Sequence, residues 1–105
     1  MLKFEDLAKL EIKIGTVIEA ERVAGTDRLI KVIVDIGNEK RQVVAGFGHK
    51  HTPEELIGKQ VPIVVNIEPA TIRSVESNGV FMAIDDNNAT LLLPEKQVVN
   101  GSKIK

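Results

Sequence analysis

Residues 11–23 read E-I-K-I-G-T-V-I-E-A-E-R-V, and this stretch decides the class of fold. The even positions from Ile12 to Ala20 carry apolar or small side chains, which is the two-residue period of a β-strand with one apolar face. Gly15 lies inside the pattern, where a bulge or a tight bend would let the strand curl around a small barrel. We therefore predict one long, curved strand whose even positions share a face.

Four further runs rich in Val and Ile outline a barrel around this strand. They are bounded by turn residues, and Gly37-Asn38 between two alternating runs predicts a hairpin turn. A second turn at residues 85–88 leads into an additional strand at residues 90–93. The four predicted main strands lie at residues 29–36, 40–47, 60–68 and 80–84.

One short helix is predicted between the third and fourth strands. Thr52 is a typical N-cap, Pro53 fits the first helical position, and Gly58 ends the helix. Five main strands, this helix and extra C-terminal strands within 105 residues indicate an all-β fold, the five-stranded Greek-key barrel known as the OB-fold. We expect residues 1–105 to form one domain.

The composition fits a compact β domain. Apolar residues make up 43% of the chain, and Val and Ile, which favour strands, dominate among them. The chain has no cysteine, which excludes a disulfide scaffold, a thiolate metal site and a cysteine nucleophile. The apolar runs are too short to span a membrane and the acidic N-terminus lacks an export signal, so we expect no membrane contact and a cytoplasmic location.

No group of residues predicts catalysis, a cofactor or a metal. The chain has no phosphate-binding loop, no dinucleotide fingerprint and no ordered Ser, His and acid triad. His49 and His51 form an H-x-H pair without a third ligand, and we interpret both as solvent-facing loop residues. Residues 85–88 lack the Gly and Glu of a calcium loop and fit a hairpin turn. We therefore expect no enzyme, no cofactor and no metal.

The charge balance restricts how this chain could bind a nucleic acid. Its net charge of −1 argues against binding through overall positive charge, but a local basic face remains open. Lys31 and Arg41 fall on neighbouring predicted strands, where outward side chains could grip one or two phosphates or could simply be solvated. The complete basic set is Arg28, Lys31, Lys40, Arg41 and Arg73.

Residues 66–83 read N-I-E-P-A-T-I-R-S-V-E-S-N-G-V-F-M-A. This segment resembles the signature of the tRNA-binding domain family, commonly N-L-K-P-x-K-x-R-G-x-x-S-x-G-M-x-x-A. The chain departs from it at Glu68, Thr71, Ser74 and Val80, and it lacks the tyrosines usual before the helix. Five other stretches of the chain resemble further motifs of the family, in the family's order. They are residues 6–15, 27–37, 41–46, 52–59 and 93–104.

The resemblance implies a non-catalytic OB-fold that binds tRNA by structure and assists an aminoacyl-tRNA synthetase, specifically a methionyl-tRNA synthetase, in cis or in trans. It also implies a homodimer formed through C-terminal strands, and it implies no DNA partner. One branch of the family consists of secretion chaperones. A dimeric peptide-binding chaperone or protein-interaction module is therefore the alternative, and exposed Phe47 and Phe81 would favour it.

Carried onto this chain, the resemblance implies six tRNA-facing residues. Arg73 can fork onto a phosphate, and Ser77 can bond a phosphate or a sugar hydroxyl. Met82 offers an apolar surface to an unstacked base, or belongs instead to the barrel core. Asn66 would order the loop. The complete set is Lys31, Arg41, Asn66, Arg73, Ser77 and Met82.

Overall fold

The computed structural model describes residues 1–105 and contains a nearly closed five-stranded barrel. The predicted all-β OB-type barrel is confirmed, with a short helix between its third and fourth strands. No helix is long and apolar enough to cross a membrane. In chain order the elements are α1 (Phe4–Leu7), β1 (Ile12–Arg22), β2 (Ile30–Asp35), β3 (Lys40–Ala45), α2 (Pro53–Leu56), β4 (Gln60–Val64), β5 (Ala70–Ile72), β6 (Val75–Ser77) and β7 (Val80–Phe81).

The long strand β1 is shared between two neighbours in the antiparallel sheet, whose order is β3-β2-β1-β4-β7. Residues 12–16 of β1 pair with β4, and residues 16–22 pair with β2. Where the two pairings meet, a Cβ on Gly15 would lie 2.5 Å from Cγ1 of Val34 and 2.8 Å from the carbonyl oxygen of Asp35. Only glycine permits this close approach. The bulge considered for this position lies instead between Val17 and Glu19.

A β-bulge divides β1 into two halves. The register against β2 shifts between Val17 and Glu19. Beyond the bulge, Ala20 lies opposite the fully buried Val32, so the even positions face the core in this half. One additional residue in a strand moves every following side chain to the other face.

Before the bulge the two faces of β1 are exchanged. Gly15 lies opposite the fully buried Val61, so the odd positions face the barrel interior, and Ile12 and Ile14 point outward. The expectation that all even positions of β1 share one face is therefore wrong, because they face outward before the bulge and toward the core after it. A two-residue period in the sequence does not reveal a bulge. An apolar surface consequently lies outside the barrel along β1 and β4.

The barrel interior is filled mainly by Val and Ile side chains. Two phenylalanines complete it: Phe47 and Phe81 pack edge to face with ring centroids 5.0 Å apart. Both are buried, with 9% and 7% of their surface exposed, so neither offers a free aromatic face. The largest fully buried side chains are Ile30, Leu56, Ile63, Val17, Val32, Val34, Val43 and Val61.

Helix α2 begins at the predicted cap. The hydroxyl of Thr52 accepts a hydrogen bond from the Glu55 amide, and the Glu55 carboxylate accepts one from the Thr52 amide. The hydrogen bond from the Thr52 amide is the main reason why the pKa of the Glu55 carboxyl is lowered, and the nearby His51 lowers this pKa further. Leu56 enters the core, and Gly58, with φ of 89°, follows the helix as expected.

The two histidines lie in different environments. His49 is exposed, whereas the side chain of His51 is only 13% exposed. The Nε2 atom of His51 lies 2.8 Å from the carbonyl oxygen of Ala89, and its ring packs edge-on against Phe47. The expectation of two solvent-facing histidines is therefore wrong for His51, because its ring ties the loop before α2 to the turn after β7. No group of three or more His, Asp or Glu side chains could hold a metal.

The predicted turn at residues 85–88 is present. The Ile84 amide donates to the carbonyl oxygen of Thr90 at 2.8 Å. The carboxylate of Asp86 accepts hydrogen bonds from the hydroxyl and amide of Thr90, at 2.6 Å and 2.9 Å, and these bonds lower the pKa of Asp86. Asp86 therefore stabilises the turn.

The C-terminal segment, residues 90–105, forms single bridges in place of the extra strands expected from the sequence. Ala83 bridges Leu91, and Lys13 bridges Lys103. Pro94 lacks an amide donor, so it interrupts any longer ladder after Leu91. The segment nevertheless remains attached to the barrel.

Several hydrogen bonds attach this segment to β1 and β4. The side-chain amide of Gln60 donates to the carbonyl oxygen of Val98 at 2.7 Å, and its oxygen accepts a hydrogen bond from the backbone amide of Val98 at 2.9 Å. Further along, the Ile14 amide donates to the carbonyl oxygen of Ser102 at 2.9 Å. The segment therefore covers part of the outward apolar face of β1.

The barrel closes through a contact that we call the closing seam, between residues 41–44 of β3 and residues 76–79. Ser77 is 5% exposed, and its hydroxyl accepts from the Val44 amide at 3.0 Å and donates to the carbonyl oxygen of Gly79 at 3.2 Å. The Asn78 amide donates to the carbonyl oxygen of Gln42 at 2.8 Å. Side chains thus complete a barrel edge that has no continuous strand ladder.

We expect Ser77→Ala to lower the free energy of unfolding by about 1–3 kcal/mol, because the Val44 amide loses its partner inside the seam. Urea denaturation followed by circular dichroism measures this change. Ser102→Ala is the control, since it removes an exposed hydroxyl that donates to Val99, and it should cost less than about 0.5 kcal/mol. Equal losses in the two variants would contradict the role of the seam.

Candidate nucleic-acid interface

A hairpin that the sequence did not predict carries Arg73. β5 and β6 pair from Ala70 opposite Ser77 to Ile72 opposite Val75, between the predicted strands at residues 60–68 and 80–84, where no strand was predicted. The two turn residues, Arg73 and Ser74, have φ of 52° and 67°. Two central residues with positive φ are typical of a type I′ turn, which favours Asn and Gly. The usual turn residues are missing here, so the sequence gives no signal for the hairpin.

The tip of this hairpin forms one wall of an open groove of about 380 Å³, and the ends of β1 and β2 form the other wall. Lys31 and Arg73, two of the predicted tRNA-facing residues, both line it. We call it the cationic groove, because three cations and one carboxylate border it. Its lining residues are Glu21, Arg22, Val23, Ala24, Lys31, Arg73, Ser74 and Val75.

The three cations of the groove differ in their partners. Arg22 donates to the carbonyl oxygen of Gly48 at 2.6 Å and thereby ties the end of β1 to a loop. The Nζ atom of Lys31 lies 2.7 Å from Oε1 of Glu21. Arg73 is exposed, and none of the ion pairs in the structure involves it. Arg73 is therefore the cation most available to an anionic ligand.

Arg41 lies on the opposite face of the sheet from Lys31. It pairs with the fully buried Val34, so it points toward the barrel interior, and its side chain is 18% exposed. Its Nη1 atom donates to the carbonyl oxygens of Val65 at 2.8 Å and Asn78 at 3.2 Å. The expectation that Lys31 and Arg41 project outward together is wrong, because the pleat separates them. A contact between Arg41 and tRNA stays a prediction.

Ser77 and Asn66 are engaged in holding the fold. Ser77 is buried in the closing seam. The side chain of Asn66 accepts from the Glu11 amide at 2.7 Å and donates to the carbonyl oxygen of Lys9 at 2.5 Å. Asn66 thus attaches the segment before β1 to the chain that follows β4. Contacts of these two residues with tRNA stay predictions.

Met82 lies at a second surface, which we call the apolar groove, a depression of about 500 Å³. It runs between the outward face of β1 and β4 and the C-terminal segment. Met82 is not a member of the core cluster, so the barrel-core alternative is wrong, and a tRNA contact stays a prediction. The lining residues are Ile12, Ile14, Pro62, Met82, Leu92, Leu93, Pro94, Val98, Ser102, Lys103 and Ile104.

Two residues of the cationic groove, Glu21 and Arg22, were missed by the sequence analysis. Arg22 occupies an even position of β1 directly before a turn. A cation at the end of a strand can reach loop carbonyls, and this position was the available signal. Of the predicted basic set, Arg28, Lys40 and Arg41 do not line the groove.

The antiparallel five-stranded barrel with its cationic groove defines the class of protein, an OB-type barrel with a candidate surface for a polyanion. A family model of the tRNA binding domain matches residues 12–103. The chain belongs to the tRNA-binding domain family.

Curated relatives contain this domain as a small part of a longer chain. The methionine–tRNA ligase of Methanococcus aeolicus is 48% identical over 104 residues, and that of Pyrococcus horikoshii is 46% identical over 105 residues. Each match covers 99% of this chain but only 16% and 14% of the two ligases. The chain therefore spans a minor share of the length of these relatives.

Two similar solved structures cover the whole chain. A MetRS-related protein from Pyrococcus horikoshii is 34% identical with a TM-score of 0.91, and the match covers 100% of this chain and 98% of that one. The chaperone CsaA from Bacillus anthracis is 31% identical with a TM-score of 0.90, covering 100% and 99% of the two chains. The fold therefore occurs in relatives with two different names.

We expect Ser74→Gly to raise the free energy of unfolding by about 0.5–1 kcal/mol, because glycine adopts the left-handed turn conformation without strain. Urea denaturation measures the change. Glu76→Gly is the control in the same hairpin. It should lower the free energy of unfolding by about 0.5–1 kcal/mol, because Glu76 lies in the extended strand β6, where glycine is unfavourable. A loss of stability in Ser74→Gly would contradict the strained turn.

Proposed function

We propose that this chain is a non-catalytic module that binds tRNA by its structure. One observation carries the proposal: Arg73 and Lys31 line the same groove in a member of the tRNA-binding domain family, and Arg73 has no ion-pair partner. The planar guanidinium of Arg73 can donate two hydrogen bonds to one phosphate while the ammonium of Lys31 contacts the next phosphate. Such contacts recognise the position of the backbone and carry no base sequence.

The charge of the chain supports modest, salt-sensitive binding. With a net charge of −1 and few free cations in the groove, the chain can neutralise only a few phosphates, so affinity should fall as salt rises. Ser74 lies beside Arg73 in the groove, and its hydroxyl can bond a ribose 2′-hydroxyl. DNA lacks this hydroxyl, so we expect RNA as the ligand.

We further propose that the module assists a methionyl-tRNA synthetase, in cis or in trans, in the cytoplasm. Relatives named methionine–tRNA ligase contain a similar domain as 14–16% of their length, which supports this assignment. A binding module raises the local concentration of tRNA near a separate active site. Catalysis would then belong to the synthetase.

The apolar groove favours a second candidate function, peptide binding by a dimeric chaperone or protein-interaction module. Similarity to the chaperone CsaA supports it. Exposed phenylalanines do not support this function, because Phe47 and Phe81 are buried in the core. The surface that remains is the apolar groove, where Leu93 and Ile104 are 54% and 47% exposed.

A homodimer formed through the C-terminal segment would join the two surfaces in one assembly. A second copy that covers the apolar groove would remove exposed side chains such as Leu93 from water. It would also place two cationic grooves on one particle, which increases affinity through avidity. We therefore propose that the second copy of this chain occupies the apolar groove.

We expect Arg73→Ala to weaken the binding of bulk tRNA about tenfold at low salt, because one charge-assisted contact is lost. A filter-binding assay measures the dissociation constant, with double-stranded RNA of similar length as the competitor. The slope of log affinity against log salt should become shallower by about one unit.

Lys96→Ala is the matched control for this experiment. It removes one positive charge beside a different groove, lined by Thr16, Lys59 and Gln97, and should change the affinity less than about twofold. Equal effects of the two variants would contradict the cationic groove as the binding surface. Absence of tRNA binding by the unmodified chain at low salt would refute the proposed function.

We expect the chain to be a dimer at micromolar concentration and Leu93→Glu to convert it to a monomer, because a charge would be buried in the apolar groove. Light scattering after size-exclusion chromatography measures the mass. Val99→Glu is the control, since Val99 is 80% exposed and lies outside the groove. A monomeric parent chain would contradict the dimer, both for the tRNA-binding module and for the dimeric chaperone.

A further inference from the structure

Lys31 forms an ion pair with a carboxylate of its own chain, that of Glu21. Glu21 and Lys31 are direct cross-strand partners in the β1–β2 ladder, and their Oε1 and Nζ atoms are 2.7 Å apart. The glutamate side chain is 66% exposed and the lysine side chain 32%. Both border the cationic groove and also a neighbouring groove, whose other lining residues are Glu19, Ala20, Ile33 and Ile57.

The other two cations of the groove hold no carboxylate. Arg22 donates to backbone carbonyl oxygens, including that of Gly48, and Arg73 has no ion pair. The carboxylate of Glu21 thus occupies the one lysine of the groove, at the position where a ligand phosphate would bind an ammonium.

We propose that Glu21 limits the affinity of the cationic groove for RNA by acting as an intramolecular substitute for a phosphate on Lys31. The inference rests on the proposed tRNA binding. A phosphate that reaches Lys31 competes with the Glu21 carboxylate for the same ammonium group. The released carboxylate then remains at the border of the groove, where it repels the bound backbone.

The exposure of the pair determines the size of this effect. Ion pairs at the protein surface are weak because water screens them, so a phosphate can displace Glu21 reversibly. Opening such a pair and leaving its carboxylate beside the ligand weakens binding by about threefold to fivefold. Glu21 therefore reduces the affinity without closing the site.

Glu19 provides a matched control on the same strand. It lies two residues before Glu21, is exposed, and borders the neighbouring groove but not the cationic groove. Glu19 takes part in none of the ion pairs. Glu19→Gln changes the net charge by the same amount as Glu21→Gln, so it reports the general effect of charge alone.

The experiment compares dissociation constants for bulk tRNA, measured by filter binding at low salt, in the parent chain and four variants. The variants are Glu21→Gln, Glu19→Gln, Lys31→Gln and the double variant Glu21→Gln with Lys31→Gln. Thermal unfolding of each variant checks that it is folded. We expect Glu21→Gln to bind about threefold to fivefold more tightly than the parent, and Glu19→Gln to differ by less than about 1.5-fold. In the Lys31→Gln background the gain from Glu21→Gln should become smaller, because only the direct repulsion between the Glu21 carboxylate and the RNA backbone is then relieved.

Each other outcome refutes the inference in a recognisable way. Equal gains from Glu21→Gln and Glu19→Gln would show a general charge effect. An undiminished gain in the Lys31→Gln background would show that Glu21 acts directly on the ligand and does not act through Lys31. Failure of the parent and all variants to bind tRNA would refute the proposed function itself, whereas parent binding without a Glu21-specific gain refutes only this inference.

Discussion

The barrel depends on the closing seam, because the free edge of β3 meets residues 76–79 without a continuous ladder. Buried polar groups must be hydrogen-bonded, so side chains supply the missing partners. Ser77 bonds both sides of the seam, and Arg41 caps nearby carbonyl oxygens. Polar residues that resemble ligand contacts in the family signature thus stabilise the fold in this chain. Arg73 differs from them, because it is exposed and takes part in none of the ion pairs.

The sequence predicted the strands, the short helix and its cap because each depends on local chemistry: alternation, a capping threonine and a terminating glycine. It failed where the outcome depends on distant partners. The bulge after Val17 is set by pairing with β2, and the burial of His51 is set by Ala89 on another turn. The β5–β6 hairpin was missed because Arg73 and Ser74 adopt positive φ without the residues that usually announce it.

The candidate site was predicted only in part, because some of its residues are brought together by strand pairing between distant parts of the chain. Lys31 and Arg73 follow from spacing and from the family signature, and they do line one groove. Their neighbours Glu21 and Arg22 depend on the bulge, which also separates the two surfaces of β1. Before the bulge the outward face of β1 is apolar and faces the C-terminal segment, and after it the outward face is charged. One strand therefore borders both the apolar groove and the cationic groove.

The attachment of the C-terminal segment to β1 has a consequence for folding during synthesis. Thr16 and Asn100 hydrogen-bond although they are 84 residues apart in the chain. Contacts of such long separation form late, since they must overcome the entropy of closing a large loop. Until residues 98–104 leave the ribosome, the first half of β1 has an unpaired edge and an exposed apolar face. Such an unpaired, apolar edge is prone to aggregation.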